Sequence, residues 1–301
     1  MFNVKVYKRK GNEMFISDLF KKDRSAFTFE VFPPKKTSPI ESIYGTLDEL
    51  AKLNPDFISV TYGAGGSYAD SKTCKIASDI QEKYGIMSAA HLSCIYNSKE
   101  DIDRILEDLK NHGIKNILAL RGDKNPDFPI QTDFRYASDL IEYIKEVSGD
   151  DFHISGACYP EGHQQAASLE DDIKNLKIKV RAGATHLISQ LFFDNTYFYK
   201  FQDKARMIGI NVPIEAGIMP VSNKSQIERM VSMCGASIPG GLNVILQKYG
   251  DKPEDLREAG IEYAINQIEG LLDNGVDGIH LYTMNNPYIA GKITEAVRQM
   301  M

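Results

Sequence analysis

Short apolar or β-branched runs recur along the chain, and each is followed by a stretch whose apolar residues return at helical spacing. The runs are "FTFEVFP" from 27, "FISVTYGA" from 57, "SAAHLSC" from 88, "NILALRGD" from 116, "HISGACYPE" from 153, "HLISQLFF" from 186, "VPIEAGIMP" from 212 and "GIHLYTMN" from 278. Eight strands alternating with helices predict an α/β fold of the (β/α)8 TIM-barrel class with extra helices, in preference to a doubly wound sheet. Helix starts are marked by Ser-x-x-acid patterns at Ser38 to Glu41, with Pro39 at the first helical position, at Ser98 to Asp101, and at Ser168 to Asp171. The stretch "SIPGGLNVILQKYGDKPEDLREAG" carries its own Pro and Gly breaks and predicts added helix after the seventh strand. No domain boundary is visible, so residues 1–301 read as one domain with residues 1–25 as an N-terminal extension.

In such a barrel the outer strand face lies under helices and the inner face fills the centre, so both are expected to be apolar. Here the inward parity is polar: Thr28 and Glu30, Ser59 and Thr61, His91 and Ser93, Arg121 and Asp123, Tyr159, Gln190, Glu215, and His280 with Tyr282. Several fall at the carboxyl ends of their strands, where the active sites of this fold are built. In "FTFEVFPPK", Phe27, Phe29 and Val31 share one face, and Thr28, Glu30 and Phe32 the other. A carboxylate buried there without a partner is driven toward its protonated form, the state a general acid needs; a glutamate on an edge strand facing water is the alternative.

In "ALRGD", Gly122 lets backbone approach a ligand while Arg121 and Asp123 flank it, although a structural ion pair would leave the same pattern. Asp172, Asn175 and Lys179 stand at i, i+3 and i+7 on a predicted helix and share a face, as a solvated face would also require. The segment "TYGAGGSY" lacks the G-x-G-x-x-G spacing of a dinucleotide-binding turn.

Composition narrows the classes. Hydrophobic residues make up 43% and charged residues 25%, the balance of a globular protein and not of a disordered one. Net charge is -6, and the one basic cluster, "KVYKRK", is too short for a nucleic-acid footprint. Cys74, Cys94, Cys158 and Cys234 form no CxxC pair, which indicates free thiols in a reducing compartment and no metal site. Without an apolar leader or a run near ~18 apolar residues, a cytoplasmic protein without membrane contact is expected.

At "FEVFPPK", "SVTYGAGG", "AAHLSC", "ALRGD", "YPEGH", "SQLFFD" and "GIMPVSN", in this order, the chain resembles the catalytic barrel of methylenetetrahydrofolate reductase, in the short bacterial type without a regulatory domain. The resemblance implies an FAD enzyme that takes electrons from NADH or NADPH and passes a hydride to 5,10-methylenetetrahydrofolate, with ping-pong kinetics. It implies Glu30 as the general acid and Asp123 as a second catalytic residue that lies near the flavin and helps hold the pterin. FAD contacts carry over onto Tyr62, Ala64, His91, Arg121, Gly122, Asp123, Ala137, Tyr159, His163, Asp172, Asn175 and Lys179. Thr61, Asp123, Gln190, Gln226 and Tyr282 carry over as substrate contacts. Three positions depart from the pattern: Ile178 replaces a basic FAD contact, Met230 a stacking Phe, and Asn286 an Arg near folate. Phe192 or Tyr282 could make good the lost stack, or a partner redox protein could supply the electrons. A homo-oligomer is expected. The rival readings are a folate-binding methyltransferase barrel without flavin, a flavin barrel of the proline-dehydrogenase type, and a non-catalytic subunit.

Overall fold

In the computed structural model, residues 15–21, 24–35, 37–62, 72–124 and 129–301 are described. Eight parallel strands close into a barrel in sequence order: β1 (Ala26–Val31), β2 (Phe57–Val60), β3 (Met87–Ser93), β4 (Asn116–Leu120), β5 (His153–Cys158), β6 (His186–Ser189), β7 (Ile214–Ile218) and β8 (Gly278–Tyr282), with β8 pairing back onto β1. Each predicted run contains one strand, and the polar residues at the ends of the "NILALRGD" and "HLISQLFF" runs lie in the loops just beyond β4 and β6.

Between the strands run α1 (Tyr44–Lys52), α2 (Lys72–Tyr84), α3 (Lys99–Asn111), α4 (Ala137–Ser148), α5 (Leu169–Ala182) and α6 (Asn195–Met207). The predicted extra helix after β7 is present as α8 (Gly240–Tyr249) between α7 (Lys224–Cys234) and α9 (Pro253–Asp273), and α10 (Pro287–Val297) follows β8. Ser98 caps α3 through a reciprocal bond pair with Asp101, and Ser168 accepts from the Asp171 N–H at the start of α5. The expected cap at Ser38 does not form: Pro39 precedes a 3-10 turn, Ile40–Ile43, which makes no side-chain cap bond and runs on into α1.

The main core lies between the outer strand faces and the helices, with Phe29, Val31, Ile58, Leu92, Ile117 and Ile279 among its buried members. Burying each such side chain contributes roughly 1.5–3 kcal/mol, which makes this layer the chief source of stability. A 3-10 helix, Ile16–Lys21, plugs the amino-terminal end of the barrel with Ile16, Leu19 and Phe20 against Phe57, Leu118 and Ile188. The Ile16 N–H donates to Asn116 Oδ1 (3.0 Å), so the plug is also held by polar register. All four cysteines are free. Among the described residues, no helix is long and apolar enough to cross a membrane.

Candidate active site

An elongated cleft opens at the carboxyl ends of β3 to β6 and β8, with two lobes that share Leu120, Arg121, Ala157, Tyr159 and His163. The inner lobe, about 300 Å³, descends to Glu30 and His91 and is walled by Gly122, Asp123, Gln190, Met230 and Tyr282. The outer lobe, about 470 Å³, runs from the start of α4 at Ala137 along the face of α5 past Asp172, Asn175 and Lys179.

The strand register sets the floor of the inner lobe. Glu30 pairs with Ser59 on one side and Tyr282 on the other, one pleat above the pairing of Thr28 with His280. Glu30 Oε2 lies 3.5 Å from His91 Nε2 and 3.6 Å from His280 Nε2. Burial depresses His91 to about 4, against the pull of the Glu30 charge, so the ring is neutral near pH 7 and the contact is not an ion pair. His91 Nε2 has no hydrogen-bond partner within the protein, which leaves a buried polar atom available to a ligand at the cleft wall. Tyr282 donates its hydroxyl to the Ser189 carbonyl at 2.7 Å, and burial together with the Glu30 charge holds that phenol well above its usual range. Gly217 makes this bond possible, since a Cβ there would sit 2.2 Å from the Ser189 oxygen and 2.6 Å from the Tyr282 hydroxyl.

Between the lobes the chain turns at Gly122, whose φ of +90° suits glycine and where a Cβ would press on Ile95 and Ser93 at 3.0–3.1 Å. This tight turn stands between Arg121 and Asp123, both of which line the cleft. The Arg121 guanidinium is held by Gln165 Oε1 (2.6 Å), so the alternative of a structural ion pair with Asp123 is not what positions it. Tyr159 packs edge-on against His163 with ring centres 4.7 Å apart.

In the outer lobe, Asp172, Asn175 and Lys179 do share a face, and it lines the cleft. Lys179 packs its stem over Gly156 on the outer face of β5 and donates to the Ala157 carbonyl at 2.5 Å. Burial lowers the Lys179 ammonium and raises the Asp172 carboxyl, each opposed by the other's charge. The result is a cationic spot in the last turn of α5, on the same face as the hydrogen-bonding Asp172 and Asn175, a combination suited to a phosphate-bearing ligand.

Of the residues assigned from sequence, Glu30, His91, Arg121, Gly122, Asp123, Tyr159, His163, Gln190 and Tyr282 line the inner lobe, and Ala137, Asp172, Asn175 and Lys179 the outer one. Thr61, Tyr62 and Gln226 are not among the lining residues, and Ala64 lies outside the described residues. Gln226 occupies the first turn of α7, one turn before Met230, and its N–H is taken by the Asn223 cap. Ile178 lines the outer lobe and is 55% exposed, whereas Asn286 caps α10 through the Ile289 N–H. Phe192 is fully buried in the outer core, which removes it as a replacement for the missing ring at position 230. Sequence reasoning passed over His153 and His186, which lie inside the barrel base; counting inward parity back from Ser155 and Gln190 reaches both. Gln165 was also missed, because a loop residue has no periodicity to betray it.

Fold and site together define a (β/α)8 barrel with an acid at the base of a dinucleotide-sized cleft. The family model described as methylenetetrahydrofolate reductase matches residues 15–298, and the chain belongs to that family. It is 38% identical over 258 residues to 5,10-methylenetetrahydrofolate reductase of Escherichia coli (strain K12), covering 86% of each chain. It is also 38% identical over 283 residues to "Methylenetetrahydrofolate reductase (NADH) 1" of Arabidopsis thaliana, covering 90% of this chain and 48% of the plant protein. The chain thus spans about half the length of its plant relatives and most of the length of its bacterial ones. Among solved structures, an uncharacterized protein from Clostridium thermocellum that binds two copies of 5-methyl-5,6,7,8-tetrahydrofolic acid shares the fold, with a TM-score of 0.66, 16% identity, and coverage of 94% and 98%.

Proposed function

We propose that this chain reduces 5,10-methylenetetrahydrofolate to 5-methyltetrahydrofolate, with FAD held in the cleft and NADH or NADPH as electron donor. The observation that carries the reading is the position of Glu30, a carboxyl at the floor of the same cleft whose outer lobe presents Lys179, Asp172 and Asn175. The residues suit FAD. Arg121 and Lys179 answer the charge of a pyrophosphate, Asp172 and Asn175 can bond ribose hydroxyls, and the unpartnered His91 Nε2 faces the inner lobe. Held by these residues, FAD would supply the two-electron hydride chemistry that links a reduced nicotinamide to the folate.

The protein's own share is binding, orientation and one proton. Glu30 donates to N10 of the folate, which opens the five-membered ring and leaves a 5-iminium carbon able to accept hydride. His91 stays neutral beside it, so no fixed positive charge locks Glu30 as the carboxylate. Gln190 and Asp123 both line the inner lobe and can hold the pterin amide and amine edges. Anaerobic rapid mixing tests the reading with Glu30→Gln, which keeps the shape and removes the proton. Flavin reduction by the nicotinamide should persist while folate reduction falls by about 10² or more. Purified protein that is colourless and takes up no FAD, or equal losses in both half-reactions, would count against it and favour a flavin-free folate barrel.

A further inference from the structure

Below the cleft floor the barrel centre holds polar groups that the proposed reaction does not use. His280 Nδ1 lies 2.6 Å from Thr28 Oγ1, and Thr28 Oγ1 lies 2.9 Å from Glu215 Oε1. On the other side of the ring, His280 Nε2 lies 3.2 Å from Ser59 Oγ and 3.6 Å from Glu30 Oε2. Glu30, His280, Thr28 and Glu215 therefore form one line from the cleft into the core, and its three inner members are fully buried. Facing Glu215 are Thr28 from β1, His186 from β6 at 3.3 Å and His280 from β8, with Asp56 and Asp277 adding charge from farther away. Facing Glu30 are His91 from β3 and His280 and Tyr282 from β8. Gly278, opposite Glu215 in the sheet, leaves the space its side chain occupies.

A neutral imidazole carries a single N–H, and a hydroxyl donates one proton while accepting others. With Glu215 ionised, Thr28 donates to it and accepts from His280, which then carries its proton on Nδ1 and presents its Nε2 lone pair to Ser59 and, 3.6 Å away, to Glu30. That lone pair repels a carboxylate and attracts a carboxylic acid. With Glu215 protonated, every bond reverses: Glu215 donates to Thr28, Thr28 donates to Nδ1, and the Nε2–H favours ionised Glu30. The two arrangements hold the same number of protons.

We propose that Glu30 and Glu215 share one proton through His280 and Thr28, which makes Glu215 a positioning residue that reloads the acid from inside the barrel. The inference rests on the assignment of Glu30 as the acid. In the transfer the Glu215 O–H, Thr28 O–H and His280 Nε2–H bonds break, and new Thr28 O–H, His280 Nδ1–H and Glu30 O–H bonds form. Nothing is oxidised, and the negative charge passes from Glu30 to the buried Glu215, where the bond from the Thr28 hydroxyl offsets part of its desolvation. The last step requires the partly exposed Glu30 carboxyl to close the 3.6 Å gap to Nε2. Burial pushes Glu215 up to about 7, so the inner end of the line exchanges its proton near neutrality.

The test is 15N NMR of histidine-labelled, FAD-loaded protein from pH 5.5 to 8.5, with His280 assigned by the His280→Gln spectrum. While the pair holds one proton, the wild-type His280 nitrogens should each show averaged donor and acceptor character from two exchanging tautomers; Glu215→Gln and Thr28→Val should each show one fixed tautomer. The folate half-reaction should slow about ten- to hundredfold in both variants and lose one ionisation from its pH profile, with the nicotinamide half-reaction unchanged and Thr28→Ser restoring most of the rate. Should Glu215→Gln fail to fold, Thr28→Val, which removes only the middle hydroxyl, carries the test. An unaltered His280 tautomer signature in the variants overturns the proposal, as does an unaltered folate pH profile. The NMR arm needs no turnover: a tautomer shift in protein that reduces no folate would sink the functional reading alone, and normal reductase activity without the shift would sink the relay alone.

Discussion

Replacing Lys179 with Met keeps most of the side chain's volume and removes its charge, so it isolates what the ammonium does. In the structure the Nζ donates to the Ala157 carbonyl and lies near Asp172, with the alkyl stem packed over Gly156. A charge-assisted bond to an anionic ligand group is worth about 1.5–3 kcal/mol, which corresponds to roughly ten- to a hundredfold in Kd. The half-buried setting and the existing bond to Ala157 place the expected loss of FAD affinity at the lower end, about tenfold. Stability of the FAD-free chain should fall by about 1 kcal/mol, because the Ala157 carbonyl loses a donor while a costly buried charge is removed. Fluorescence quenching of FAD on titration gives Kd, and urea unfolding gives the stability change. The affinity loss should shrink as salt is raised. A Kd within threefold of wild type would show that the outer lobe does not hold the anionic part of the cofactor. The reverse substitution is informative at the neighbouring departure: Ile178→Arg, at an exposed wall position, should tighten FAD by up to about fivefold.

Asp123→Asn removes a negative charge from the mouth of the inner lobe and should raise the bound flavin's two-electron potential by about 30 mV, equivalent to about 1.4 kcal/mol, while slowing folate reduction; an equal or lower potential refutes this. Met230→Phe should lower the KM for NADH by up to roughly tenfold, since Phe192 is sequestered in the core and cannot supply the ring; an unchanged KM refutes it. His153 is buried with neither ring nitrogen bonded, and burial depresses it to about 3. Its unfolded form binds a proton below about pH 6.5 and its folded form does not, so stability is present above that pH and lost as pH falls. His153→Phe should therefore gain about 2 kcal/mol over wild type at pH 5 relative to pH 8, measured by urea unfolding; a gap independent of pH would mean the ring is solvated.

The alternation of side chains along a strand is a local property, and for that reason the eight strands and the inward parity of Thr28, Glu30, His91, Glu215 and His280 were legible in the chain alone. The caps at Ser98 and Ser168 are equally local, each made by residues three apart. Ser38 carried the same signature and failed, because the Pro39 segment takes a 3-10 turn into α1. Neighbours across the barrel could not be read in this way. Thr28 meets Glu215 and His280 only because β1 closes against β8 in one particular register, a pairing of residues some 250 positions apart that no short-range pattern encodes. The cleft is likewise a product of closure, since α4 and α5 bring Ala137 and Lys179 to the same wall although neither sequence segment signals the other. Inward-facing chemistry follows from the period of the strand; which groups share a proton or a ligand follows from the ring of hydrogen bonds that fixes strand stagger.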